Sequence, residues 1–263
     1  MARLPAPRIG FDAAQASRVV RVSGLLDSDE VEAVLSLAIS SKSKCGVHVR
    51  GRDAVSGQAC WETTYLSTDF VFQKELPQLF DKLVNAALAV DAAEWRLCGG
   101  ATLRARCVEH HRVLPGGALK HAEHYDSGSV VTIDVMLSNP EIDFQGGSFV
   151  ATNVAKGDGA QNADAADADL PALSAAGDAV VFVSHKHHSV SPVTAGERRV
   201  LVIELWVGPA RKCGHRCEDA FGDCAFRPVA ANVLQSMDEQ DDWDDETRAA
   251  ALRFAKTCAT PAF

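Results

Sequence analysis

Between residues 101 and 208 the chain is a succession of short β-prone segments cut by turn signals, and this narrows the open folds more than any other feature. TLRARCVEH (102–110) sets Leu103, Ala105 and Cys107 against Arg104 and Arg106, the alternation of a strand with one solvated face. PGG at 115–117 and SGS at 127–129 are turn signals. VVTIDVML (130–137), GGSFVATN (146–153), DAVVFVS (178–184) and RRVLVIELWV (198–207) each read as a further strand. Short strands with turns between them predict a barrel or sandwich.

Helical patterns flank this region. SGLLDSDEVEAVLSLAISS (23–41) reads as an amphipathic helix capped by Asp27 or Ser28. ELPQLFDKLVNAALAVDAA (75–93) places Leu79, Leu83, Ala86 and Ala87 on one stripe. The expected layout is a loose leader over 1–22, one β domain with a helical lead-in over 23–210, and a Cys-containing loop with a helical extension over 211–263, helical at 229–258. Residues 155–176 read as a patternless surface insertion.

Composition excludes several function classes. The net charge of −9 has no basic stripe, so no nucleic-acid partner is expected. The acids gather in Asp158–Asp169 and Asp238–Glu246, which read as solvated runs. No apolar run reaches the ~18 residues of a membrane helix, and MARLPAPRIGFDAAQ lacks a signal peptide's apolar stretch. The expectation is a cytoplasmic protein without a membrane span, with an organellar address left open by Arg3, Arg8, Arg18 and Arg21. The eight cysteines then read as reduced thiols.

HAEHYDSGS (121–129) is the densest cluster of metal-ligating side chains. It offers two overlapping pairs, His121-x-Glu123 and His124-x-Asp126. On a strand, residues i and i+2 share a face, so either pair can reach one ion. A histidine and a carboxylate lack one member of the two-histidine, one-carboxylate triad that non-haem Fe(II) oxygenases use. SHKHHSVSPVTAGERR (184–199) offers His185, His187 and His188 as the third.

Taken in order, His124-Tyr-Asp126, Phe144-Gln-Gly146-Gly147, Gly177-Asp178 through Phe182, and His188-Ser-Val-Ser-Pro192-Val193-Thr-Ala-Gly196-Glu-Arg198 form a pattern. It resembles the 2-oxoglutarate and Fe(II)-dependent dioxygenases, and within them the prolyl 4-hydroxylase-like branch. The resemblance covers residues 100–208, and the helix at 23–41 resembles that branch's lead-in. It implies a mainly β fold with flanking helices, a double-stranded β-helix or jelly roll. Carried over, Fe(II) falls to His124, Asp126 and His188, and the far carboxylate of 2-oxoglutarate falls to Arg198, ten positions after the second histidine. The implied reaction hydroxylates a C–H bond and releases succinate and CO₂, with O₂ and 2-oxoglutarate as small-molecule cosubstrates and L-ascorbate as an optional reductant. The substrate is open: a prolyl or lysyl side chain, a peptide or a small molecule. Collagen-type relatives carry Lys where Arg198 stands, so prolyl specificity is not implied. The tyrosine that many relatives place before His-x-Asp is absent, which leaves His111 as its candidate replacement.

His121 and Glu123 form a rival pair, but the turn and following strand adjoin His124 and Asp126. His110 and His111 alternate faces, so one of them points inward. Cys213, His215, Cys217 and Cys224 form C-x-H-x-C-x6-C, a set that can bind zinc, act as redox-sensitive thiols or simply pack. Trp206 is expected in the core. Arg198 shares a face with Val200, Val202 and Glu204, and Glu204 is the expected polar company for its charge. Leu201, Ile203 and Leu205 make the opposite face the more apolar. Two other classes stay open: a non-catalytic jelly-roll binding or sensor module, and a cupin-type metal enzyme without cosubstrate. The HxH-then-Glu clustering of the latter is missing here.

Overall fold

The structure, a computed structural model, describes residues 9–99, 101–121, 123–151 and 173–216. Its strands are β1 (Val20–Val22), β2 (His48–Val49), β3 (Trp61–Tyr65), β4 (Arg104–Val113), β5 (Val131–Met136), β6 (Phe144–Gly146), β7 (Phe149–Ala151), β8 (Ala179–Val183), β9 (His188–Val190), β10 (Val193–Gly196) and β11 (Arg198–Trp206). One antiparallel sheet of seven strands runs β1-β8-β5-β11-β4-β3-β2, and two small sheets pair β10 with β6 and β7 with β9. From β4 onward the chain alternates between the large sheet and the small ones. Leu119 bridges to Val190 of β9 before β5 begins, and β6–β7 and β9–β10 separate β5, β8 and β11. That winding is the double-stranded β-helix expected.

Among the described residues five α-helices precede β4: α1 (Phe11–Ala16), α2 (Ser28–Ser40), α3 (Lys42–Cys45), α4 (Val71–Glu75) and α5 (Pro77–Glu94). Asp27, rather than Ser28, caps α2: its carboxylate accepts from the Glu30 amide while the Glu30 carboxylate accepts from the Asp27 amide. Pro77 opens α5, and Leu79, Leu83 and Ala87 form its buried stripe, with Ala86 half-buried beside it. These stripes meet the outer face of the large sheet, where Leu201, Ile203 and Leu205 pack with Val131, Ile133, Val135 and Val181. Each such side chain contributes about 1.5–3 kcal/mol when fully buried. The uniformly apolar face of β11 is therefore the helix-covered outside of the barrel.

A second cluster fills the interior. Trp61, Val113, Met136, Val200 and Val202 from the large sheet meet Phe144, Val190 and Val193 from the small ones. Gly177-Asp178 serves this architecture: a Cβ at Gly177 would stand 2.1 Å from the Leu26 carbonyl oxygen, so only glycine lets the lead-in pass. The Asp178 carboxylate then accepts hydrogen bonds from Arg21 and from the Gly24 amide.

Three expectations need correction. Arg106 is 2% exposed, not solvated. Glu204 faces Cys107 while Leu205 faces Ala105, so Arg106 is the extra residue of a β-bulge that turns it inward. The strand expected over 146–153 is broken into β6 and β7 at Gly146 and Gly147, both in the left-handed region. The stretch expected as a loose leader supplies α1 and β1, which pairs with β8. Past residue 210 the backbone keeps contact with the sheet, Arg211 donating to the Ala105 carbonyl and Asp69 to the Lys212 carbonyl. The remaining insertion, the helix expected at 229–258, both acidic runs, Cys217 and Cys224 lie outside the described residues.

Candidate active site

Strand register makes the inner face of the large sheet polar. Tyr65, Glu109, Val202 and Asp134 lie side by side on β3, β4, β11 and β5, and Cys107, Glu204 and Thr132 form the next row. A cavity of about 110 Å³ opens over this face, lined by His124, Asp126, His188, Asp134 and Arg198 among others.

Ligand atoms of His124, Asp126 and His188 all lie within 4.8 Å of one another. The Asp126 Oδ1 stands 3.4 Å from His124 Nε2 and 4.0 Å from His188 Nε2. Strand alternation is not what brings His124 and Asp126 together, because residues 124–126 lie in a loop. Two backbone bonds hold the loop: the Asp126 amide donates to the Ser184 carbonyl, and the His188 amide donates to the His124 carbonyl at 2.9 Å.

Each of these side chains is aimed. The Thr132 hydroxyl donates to Asp126 Oδ2 at 2.7 Å, leaving Oδ1 toward the histidines. The His188 Nδ1–H faces the Lys186 carbonyl at 3.0 Å, which presents the Nε2 lone pair to the cavity. Phe149 stacks on the His188 ring and Phe182 meets its edge. Burial lowers the His188 pKa, so the ring is neutral and able to ligate. Burial opposes ionisation of Asp126, but His188, the His124 hydrogen bond, Arg216 and Thr132 together hold it below the usual carboxylate range. Two imidazole nitrogens and one carboxylate oxygen, converging with the rest of each group already bonded, fit an octahedral Fe(II) with open positions.

The other histidines fall elsewhere. His187 stacks on Tyr125 and meets the edge of Phe11, away from the cavity. His121 and Glu123 are exposed and belong to none of the ligand clusters among the described residues. His111 lines the cavity while His110 does not. The Trp61 indole N–H donates to His111 Nδ1 at 3.0 Å, so Nε2 carries the proton and donates to Glu109 at 2.7 Å. Trp206 is fully buried and its indole donates to the Pro209 carbonyl. Cys213 is not part of a disulfide.

Arg198 is 3% exposed and its guanidinium makes no hydrogen bond among the described residues. Gly147 clears its path, since a Cβ there would lie 2.8 Å from Arg198 Cδ. Its expected companion Glu204 is engaged elsewhere, with Arg106 at 2.8 Å and Arg216 at 2.6 Å. The acid near Arg198 is Asp134, whose pKa is raised to about 8 by burial and by Asp126, against the pull of Arg198.

Arg216, Asp134 and Glu109 were not anticipated. Arg216 reaches Glu109 at 3.1 Å, Glu204, and Asp126 at 3.5 Å. Burial disfavours the Glu109 carboxylate, but Arg216 and His111 hold it well below the usual range. Cys107, Glu109 and Glu204 also converge, but Arg106 and Arg216 already compensate that cluster. No sequence signal marks Arg216, since only the folded chain returns it to β4. A signal for Asp134 is present, since it is the single charge within VVTIDVML.

No family model matches the chain, and no curated protein matches it. Among solved structures it is similar to a viral collagen prolyl hydroxylase from Paramecium Bursaria Chlorella virus-1 in complex with 2OG, at 14% identity and a TM-score of 0.48, over 73% of this chain and 97% of that one. A Pseudomonas putida prolyl-4-hydroxylase shares 19% identity at a TM-score of 0.48, over 74% and 96%. The alpha ketoglutarate dependent epimerase SnoN from nogalamycin biosynthesis shares 16% at 0.45, over 74% and 80%. No helix among the described residues is long and apolar enough to cross a membrane.

Proposed function

We propose that this protein is an Fe(II)- and 2-oxoglutarate-dependent dioxygenase that hydroxylates a C–H bond of a protein side chain, peptide or small molecule. The observation that carries the reading is the convergence of His124, Asp126 and His188 in one cavity with a buried, hydrogen-bond-free Arg198. A cationic guanidinium left without partners in a protein interior is costly, and a carboxylate ligand removes that cost. The domain proposed to carry the activity spans residues 23–210 together with β1.

In this reading His124, Asp126 and His188 would hold the iron, with Thr132 and the Lys186 carbonyl fixing two of them in orientation. Arg198 would pair with the far carboxylate of 2-oxoglutarate, a planar fork meeting a planar anion. With iron held there, the chemistry supplied would be activation of O₂ and oxidative decarboxylation of 2-oxoglutarate to succinate and CO₂. Leu119, Val190, Val200 and Val202 are the apolar part of the cavity lining, against which a bound cosubstrate would displace water. His111, neutral and pinned by Trp61 and Glu109, orients rather than titrates.

The test is O₂ consumption and succinate formation with Fe(II) and 2-oxoglutarate, across a panel of peptides and small molecules. Anaerobic Fe(II) and 2-oxoglutarate should give a visible metal-to-ligand charge-transfer band. No band and no succinate under any condition would leave a non-catalytic module, and turnover independent of 2-oxoglutarate a cupin-type enzyme.

A further inference from the structure

Arg198 and Asp134 have a common anomaly. Both line the cavity, they are 3% and 9% exposed, and neither side chain makes a hydrogen bond among the described residues. The Arg198 Nε and the Asp134 Oδ1 are both buried and unsatisfied. Two such groups on one cavity wall point to a ligand that both of them bind.

Their placement says what that ligand presents. Asp134 pairs with Val202 of β11, four residues along from Arg198, and Thr132, which holds Asp126, pairs with Glu204 two residues further. Asp134 therefore sits on the inner face between the arginine and the metal-ligand set, with Val200 and Val202 as apolar neighbours. An ionised Asp134 would pair with Arg198 and neutralise the anion receptor. The two are not within ion-pair distance, and Asp134 bonds to none of His124, Asp126 and His188. A neutral carboxyl there has one O–H to donate, which an ionised one lacks.

We propose that Asp134 is a second binding residue for the dicarboxylate cosubstrate: as a neutral carboxyl it donates a hydrogen bond to the distal carboxylate that Arg198 binds. This rests on the dioxygenase reading and deepens it. Two carboxyl groups sharing one proton are a stable arrangement where two carboxylates side by side are not. The pair of donors makes the slot selective. A 2-oxo acid lacking the distal carboxylate chelates iron equally well but leaves both Arg198 and Asp134 unsatisfied.

The experiment is calorimetric binding to the Fe(II)-loaded protein without O₂, with 2-oxoglutarate and with 2-oxobutyrate, which lacks the distal carboxylate. Wild type should prefer 2-oxoglutarate. Asp134→Ala should weaken 2-oxoglutarate by about tenfold or more, the scale of a hydrogen bond to a charged group, and leave 2-oxobutyrate unchanged. Asp134→Asn, whose amide still donates, should retain affinity to within about threefold, a difference below one ordinary hydrogen bond. If Asp134→Ala also loses 2-oxobutyrate, Asp134→Leu, which keeps the volume without the donor, carries the same expectation. A wild type that prefers 2-oxoglutarate together with variants lacking the donor that bind it as tightly would overturn the role of Asp134 alone. A wild type with no preference would overturn the dicarboxylate reading as well.

Discussion

Arg198 and its neighbour Arg199 provide the sharpest test of the proposed site, because adjacent identical residues face opposite environments. Arg198 is buried in the cavity without a hydrogen bond, whereas Arg199 is half-buried and pairs with Glu197 on the other side of the strand. Removing one partner of a buried charge-assisted pair costs about 2–5 kcal/mol. Arg198→Ala should therefore raise the 2-oxoglutarate KM by about 30-fold or more at 1.4 kcal/mol per decade, and Arg199→Ala should change it little. Stability should move the other way. In the metal-free protein Arg198 is a buried cation whose Nε is unsatisfied, and Arg198→Met keeps the length without that penalty. The variant should gain on the order of 1–3 kcal/mol of unfolding free energy. The assays are steady-state kinetics with varied 2-oxoglutarate and urea unfolding of the metal-free protein. A large KM effect confined to Arg199, or an Arg198→Met variant that loses stability while keeping its KM, would refute the placement.

Asp126→Ala should abolish turnover and the anaerobic charge-transfer band while the protein still folds; a variant retaining both would return the role to His121 and Glu123. His188→Ala should lose most Fe(II) affinity in a metal titration, whereas His187→Ala, whose ring packs on Tyr125, should keep it. Gly147→Ala places a Cβ 2.8 Å from Arg198 Cδ at a φ of +63°, so 2-oxoglutarate affinity should fall together with about 1–2 kcal/mol of stability. Asp134 keeps its proton in the fold up to about pH 8 but releases it near 3.8 when unfolded. Between those values the native state binds the extra proton, so this residue's stabilisation is full below the lower pKa and is lost as pH rises through the upper one. Compared with Asp134→Asn, wild type should lose about 1.4 kcal/mol per pH unit across that window and level off above it; parallel urea midpoints from pH 5 to 8 would contradict this.

Much of this fold was legible because burial and alternation agree in it. β5, β8 and β11 are long apolar runs whose outer faces pack on helices, and the stripe of α5 reads directly from its spacing. β2, β9 and β10 are two to four residues long, and β3 is the mixed WETTY, so pairing partners rather than propensity make them strands. Arg106 was misplaced because one bulged residue inverts the alternation for everything before it. The three metal-ligand candidates were legible through motif order and not through secondary structure, since the alternation first invoked for His124 and Asp126 does not operate in their loop.

The polar interior also explains why the more apolar face of β11 had to be the outer one. A jelly roll that only packed would place its apolar residues inward. Here Asp126 and Glu109 are held below the usual carboxylate range, while burial pushes Asp134 up, and Glu204 up as well, the latter against the pull of Arg216 and Arg106. Arg50, Arg198 and Arg216 line the same cavity as Asp126, Glu109 and Asp134. A divalent cation alone, or a dicarboxylate alone, would each add uncompensated charge in a medium where it is expensive. The two together add nothing net. The opposite charges of the two ligands thus favour joint occupancy of this buried site over either alone. The helices covering Leu201, Ile203 and Leu205 supply the apolar burial that the charged interior forgoes.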